Sequence, residues 1–251
     1  MVTRLQALWH RSMTRLIVDF DLTLTNTETT PILGQFGLDT GKHCKQPWSY
    51  FVSTYMDDYG KMEQREAEAR SLARIHQNGV FKGLTRAQIY EYGQSRSASL
   101  LRAGVKEALG ERPFDVVSVN WSPDWIRGVL DTLPVRQVYC NDLIYDGDYA
   151  TGEIEPAVLV TEDKQAVIRK HVPEGDYLYV GDSMGDLLPL VDARIPIVIG
   201  DNKKLLDTLR DSYSICLQEP STPSSRPQGR VGYRVDQWDQ ISSILSSSVS
   251  S

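Results

Sequence analysis

The sequence predicts an α/β fold, a doubly wound parallel sheet with an all-helical insertion. Three observations carry that prediction. Five short runs rich in β-branched and aromatic residues end in polar residues or glycine. Stretches with helix-favouring residues and cap signals fall between the later ones. One long segment, residues 27–108, holds no such run and is rich in helix-forming residues instead.

The five runs are "RLIVDFD" (15–21), "FDVVSVN" (114–120), "RQVYCND" (136–142), "DYLYVGD" (176–182) and "IPIVIGD" (195–201). Strands covered by helices on both faces read as such continuous apolar runs, because neither face meets water. Helical patterns follow. "SPDWIRGVLDTL" opens with Ser122, "TEDKQAVIRKH" with Thr161 and "DNKKLLDTLR" with Asp201 or Asn202, side chains able to accept the free N–H groups of a first turn. Strand followed by helix, repeated, winds a parallel sheet.

Within 27–108, "SYFVSTYMDDYGKMEQREAEARSLARIHQNG" and "TRAQIYEYGQSRSASLLRAGVKEALG" place apolar residues three and four apart. An all-helical insertion between the first two strands is the simplest account. "NDLIYDGDYATGEIEP" (141–156) has turn residues between short apolar pieces and reads as a β-hairpin. After Cys216, "QEPSTPSSRPQGRVG" reads as a surface loop, followed by "YRVDQWDQISSIL" as a final strand and short helix, then a frayed serine-rich end.

With 251 residues, 41% hydrophobic and 24% charged, the chain can bury one large core. A net charge of −6 without any stripe of Lys or Arg argues against nucleic acid or an anionic membrane as partner. Cys44, Cys140 and Cys216 are odd in number and widely spaced, which suits a reducing compartment better than a disulfide framework. No apolar run approaches the roughly 18 to 20 residues that span a bilayer. A cytoplasmic protein is therefore expected. The basic opening "MVTRLQALWHRSMTRL" shares arginines and a lack of acids with mitochondrial presequences, but is read as a short helix or leader ahead of the first strand.

The chemistry concentrates at run ends. Asp19 and Asp21 close the first run, and a carboxylate pair at the tip of a buried strand is costly unless something compensates it. Ser118 lies near the end of the second run, Lys164 opens a helix, and Asp182 and Asp186 sit in "GDSMGD". In an open parallel sheet these ends converge on one edge. Several ionised carboxylates together require a cation, and hard oxygen ligands with no His or Cys beside them favour Mg²⁺. The same ion would neutralise a transferring phosphoryl group.

These residues resemble the haloacid dehalogenase superfamily of aspartate-nucleophile phosphatases. "DFDLTLT" is similar to its first motif, "VVSVN" to the second, Lys164 in "TEDKQAVI" to the third and "VGDSMGD" to the fourth, in family order. The resemblance implies a Rossmann-like core (residues 1–26 and 109–251) and an α-helical cap (27–108). It implies Asp19 as the nucleophile that forms an aspartyl phosphate, Asp21 as general acid and base, and Ser118 and Lys164 as holders of the phosphate. Substrate would meet Ser118, Asn120 and Lys164; Mg²⁺ would meet Asp19, Asp21, Asp182 and Asp186. Asp21 counts against the halide reaction, because the dehalogenases lack an Asp at that place.

Relatives of phosphoserine phosphatase usually follow the second-motif serine with two glycines, where this chain has Val119 and Asn120. "DLTLT", "SVNWS", "YCNDL" and Trp48 followed by Tyr55 and Tyr59 resemble instead the phosphatase domain of plant thiamin monophosphate phosphatase and its stand-alone fungal relatives. That resemblance implies a small-molecule phosphate ester as substrate, thiamin monophosphate first, with cap aromatics stacked on a cationic thiazolium for about 0.5–2 kcal/mol. Phosphoserine, phosphocholine, flavin or pyridoxal phosphates are the alternative substrates. A non-catalytic metal- and phosphate-binding module, or phosphoryl transfer to a sugar, are the alternatives in kind.

Overall fold

The computed structural model describes residues 14–220 and 230–247. The strands are β1 (Arg15–Val18), β2 (Phe114–Val117), β3 (Val135–Tyr139), β4 (Asp142–Asp146), β5 (Tyr149–Glu155), β6 (Tyr177–Gly181), β7 (Ile195–Ile199), β8 (Ile215–Gln218) and β9 (Arg230–Val235). Seven of them form one sheet in the order β3-β2-β1-β6-β7-β9-β8, and every neighbouring pair in it is parallel. β4 and β5 form the separate antiparallel hairpin expected at 141–156.

The chain builds outward from β1 through β2 to β3, then returns to the other side of β1 with β6. That reversal places the crevice where ligands bind in such sheets beside the end of β1. Val18 pairs with Val116 on one side and Val180 on the other, so Asp19 and the residues after β2 and β6 leave the sheet at one edge.

Alternate strand residues enter two layers, which is why these strands are apolar throughout. Leu16, Val18, Val116, Leu178 and Val180 share one cluster. Ile17, Val117, Tyr177, Tyr179 and Val198 share the other, with Ile168 of α7 (Thr161–His171), Leu190 of α8 (Leu187–Asp192) and Leu205 of α9 (Lys203–Tyr213).

Between β1 and β2 lie α1 (Thr30–Gly41), α2 (Trp48–Asp58), α3 (Gln64–Gln77), α4 (Arg86–Leu100) and α5 (Val105–Leu109). The first long helical stretch of the sequence is split in two at Gly60, whose φ of 82° is left-handed. α3 packs on β5, and α5 packs on α10 (Trp238–Ser247). α4 lies against α6 (Pro123–Val129), backbone almost on backbone. A Cβ on Gly128 would stand 2.2 Å from the Tyr90 carbonyl, and one on Gly93 2.7 Å from that of Trp125.

Several details differ from the sequence reading. The five strands end one to three residues early, because their last residues leave the ladder to build the loops at the sheet edge. β8 continues through Leu217 and Gln218, where a loop was expected after Cys216; one buried and three half-buried residues of mixed polarity give too little period to read. Residues 221–229 of that loop, and the leader ahead of β1, lie outside the described residues. α7 is capped from Val160, not Thr161: Asp163 reaches back to the Leu159 and Val160 N–H groups, leaving the Thr161 hydroxyl to accept from Leu188 N–H. Ser122 and Asn202 cap α6 and α9 as expected. Among the described residues, no helix is long and apolar enough to cross a membrane.

Candidate active site

β1 delivers Asp19 to the floor of a cavity of about 510 Å³ at the sheet edge, lined also by Asp21, Ser118, Lys164 and Asp182. Residues 145 positions apart in sequence meet there. Lys164 Nζ donates to Asp19 Oδ1 at 2.6 Å and to Asp186 Oδ1 at 2.8 Å, and all three side chains are buried. The cost of burying these charges is offset because each is paired.

Asp186 is held from every side. Tyr179 OH donates to its Oδ1 at 2.8 Å, while the N–H groups of Asp182 and Ser183 and the Ser183 hydroxyl donate to Oδ2. Gly181 is required for that approach, since a Cβ there would lie 2.5 Å from Asp186 Cγ. The Thr23 hydroxyl stands between the other two acids, 3.2 Å from Asp19 Oδ2 and 3.0 Å from Asp182 Oδ1.

Asp19, Asp182 and Asp186 each bring an oxygen within 4.8 Å of the others. One lysine does not balance three acids. Burial and then Asp186 push the Asp19 carboxyl well above the usual range, against Lys164. Burial and Asp186 likewise push Asp182 up to about 6. Burial alone would pull Lys164 down, but Asp186 and Asp19 outweigh it and hold the ammonium above its ordinary value. The donor set therefore fits a hard cation. Asp19 and Asp182 would be its carboxylate ligands, since Asp186 already accepts two protein donors on Oδ1 and three on Oδ2, whereas Asp19 accepts one on each oxygen.

Asp21 occupies a different environment, without an ion pair. Its Oδ1 accepts from Thr29 N–H at 2.7 Å and its Oδ2 from Asn120 Nδ2 at 2.9 Å. Burial raises its pKa and these two donors oppose the rise. Asn120 is fully buried behind Asp21 and also donates to Thr29 Oγ1, which accepts from Trp125 Nε1 as well. The structure thus places Asn120 against the acid and not on the cavity lining.

A second cavity of about 490 Å³ adjoins the first, and Glu28, Glu68 and Val119 line both. Trp48, Phe51, Tyr55 and Trp121 form its aromatic walls. Tyr55 OH donates to Glu68 at 2.7 Å. Loss of water in the cleft, with Asp21 and Asp182 nearby, pushes Glu28 up to about 7. Tyr59, Gln64 and Glu68 close the first cavity from the α2–α3 side, and Arg65 makes a two-pronged ion pair with Asp163 of α7, both contacts at 2.9 Å.

Sequence reasoning missed Thr23, Thr29, Glu28 and Tyr179. Tyr179 carried a readable signal: it is a tyrosine inside an otherwise apolar strand run, and a buried phenol seeks a partner. Glu28 and Thr29 carried none, being polar residues in a polar stretch.

A family model for haloacid dehalogenase-like hydrolases matches residues 16–190, a span that takes in both acids after β1, Ser118, Lys164 and both acids after β6. The chain belongs to this family. Relatives of this haloacid dehalogenase-like hydrolase include Cold tolerance protein 1 of Saccharomyces cerevisiae, 22% identical, with the match covering 92% of this chain and 98% of that protein. The mitochondrial Bifunctional TH2 protein of Arabidopsis thaliana is 23% identical over 74% of this chain, which spans 39% of that longer protein. Among solved structures, a phospho-aspartyl intermediate analogue of phosphoserine phosphatase superposes with a TM-score of 0.51 at 19% identity, covering 74% of this chain and 86% of that one. That likeness is one of fold.

Proposed function

We propose that this hydrolase is a Mg²⁺-dependent phosphomonoesterase acting through an aspartyl phosphate on a small metabolite ester. The observation that carries the reading is the Lys164–Asp19 contact at the floor of a cavity that also presents Ser118 and Asp21.

Asp19 attacks phosphorus, the bond to the leaving oxygen breaks, and the phosphoryl group passes to the Asp19 carboxylate. Lys164 steers the attacking oxygen and, with the Ser118 hydroxyl, holds phosphoryl oxygens. Asp21 gives its proton to the leaving oxygen and then takes one from the water that cleaves the acyl phosphate. A raised pKa suits that work, because the group must carry a proton near neutral pH. Asp19, Asp182 and the main-chain carbonyl of Asp21 would hold Mg²⁺, which when bound offsets the charge of the phosphoryl group. Asp186 fixes Lys164 and the loop after β6.

Residues 27–108 act in this reading as a cap, with α2 and α3 forming the wall over the phosphate and the aromatic cavity receiving the leaving group. Thiamin monophosphate is the first choice of substrate. Trp48 and Tyr55 supply flat faces, and Glu28 and Glu68 line the same cavity, where a flat cationic ring would favour their charged forms. Cys44, Cys140 and Cys216 form no disulfide among the described residues, which supports a cytoplasmic setting.

A panel of metabolite phosphates assayed as kcat/KM with and without Mg²⁺ tests this. Thiamin monophosphate is expected to lead phosphoserine, phosphocholine, and flavin and pyridoxal phosphates. A flat profile removes the substrate assignment, and absence of turnover on every ester removes the phosphatase.

A further inference from the structure

The loop that follows the Asp19–Asp21 pair is held from outside by two side chains that touch neither cavity. Arg102, two residues past the end of α4, bonds three of the four carbonyls from Leu22 to Thr25: its guanidinium donates to Leu22 O at 2.6 Å and Thr25 O at 3.1 Å, and its backbone N–H to Leu24 O at 2.9 Å. The remaining carbonyl, that of Thr23, accepts from Trp238 Nε1 at 2.9 Å. Trp238 is fully buried at the start of α10, beyond the span matched by the family model. Every carbonyl from Leu22 to Thr25 therefore has an outside donor.

This matters because of what the loop carries. Leu22 is left-handed, with φ of 58°, a conformation that a leucine keeps only where its surroundings impose it. Next to it the Thr23 hydroxyl reaches Asp19 and Asp182, the two acids with an oxygen to offer a cation. Moving the Thr23 backbone moves that hydroxyl, and with it the separation of the acids.

We infer that Arg102 and Trp238 are positioning residues of the site: clamping the carbonyls of Leu22–Thr25, they set the Thr23 hydroxyl and through it the Asp19–Asp182 pair. The inference rests on the phosphatase reading above. It makes the exit of the helical segment and the last helix parts of one device at the sheet edge.

The test is a double-mutant cycle read in two ways, as kcat and KM on p-nitrophenyl phosphate and as Mg²⁺ affinity by calorimetry on metal-free protein. Trp238→Phe keeps the ring and deletes the donor, and is expected to lower both kcat and Mg²⁺ affinity about tenfold, as loss of a group that orients a metal ligand does, with KM unchanged. Thr23→Val is expected to cost the same, and the double variant no more than either alone. Arg102→Lys keeps the charge but cannot span two carbonyls, so it is expected to fall with Arg102→Met; it also carries the test should Trp238→Phe not fold. Wild-type kcat and Mg²⁺ affinity in Trp238→Phe, losses that multiply in the double variant, or full rescue by Arg102→Lys overturns the inference while the phosphatase stands. A wild-type protein without turnover instead overturns the phosphatase reading and the inference with it.

Discussion

Lys164 Nζ sits 2.6 Å from Asp19 Oδ1 and 2.8 Å from Asp186 Oδ1, with only 3% of its side chain exposed. One cation thus joins the residue after β1 to the acid after β6, and stability and chemistry depend on the same pair of contacts.

Replacing Lys164 by Met leaves two buried carboxylates without a counter-charge. At neutral pH and without metal the variant is expected to lose about 3–5 kcal/mol of stability, the usual cost of breaking a buried pair from one side. The deficit should shrink toward about pH 5, because the Asp19 carboxyl, whose folded pKa is raised, takes up a proton more readily in the native state than in the unfolded one. Urea unfolding at the two pH values checks this; an equal loss at both contradicts it.

The metal-free protein itself should become less stable as pH rises. The folded Asp182 carboxyl titrates at about 6, above its unfolded value, so the native state binds more protons between the two and loses that advantage on deprotonation. Mg²⁺ should relieve the resulting repulsion, raising Tm more at about pH 8 than at about pH 5. A Tm shift independent of pH, measured by differential scanning fluorimetry, contradicts the metal assignment.

Asp21→Asn should keep Mg²⁺ affinity and lower kcat by about 10²–10⁴, the usual worth of a general acid and base. Asn120→Ala, which removes the donor to Asp21 Oδ2, should lower kcat by a smaller factor while leaving KM near its wild-type value. Equal kcat for Asn120→Ala and wild type would show that the Asp21 carboxylate needs no such hold.

A Cβ on Gly181 has no room, with Asp186 Cγ 2.5 Å away. Gly181→Ala is expected to cost about 1–3 kcal/mol through overpacking. Because the atoms displaced belong to Asp186, kcat should fall as well. Unchanged turnover in a destabilised variant would separate packing from chemistry at this position.

Much of this architecture is legible in the sequence because it depends on short patterns. Asp19, Asp21 and Asp182 lie at the ends of continuous apolar runs with Asp186 four residues further on, and once those runs are read as parallel strands the acids must share an edge. β8 was not legible, since "ICLQ" is short and mostly half-buried. Thr161 looked like a cap, but Asp163 two residues later supplies the acceptor. The work of Asn120 was hidden for another reason: its partner Asp21 is 99 residues away. Arg102 and Trp238 act on backbone carbonyls 80 and 215 residues distant, contacts that leave no mark on the pattern around either residue.

The central claim is covalent catalysis by Asp19. Acid quenching of the protein during turnover of a ³²P-labelled monoester with Mg²⁺, followed by peptide mapping, tests it most directly. Label on the peptide that carries Asp19, absent in Asp19→Asn along with all turnover, is the predicted result. Label on another residue, or an Asp19→Asn protein that still releases phosphate at the wild-type rate, would contradict it.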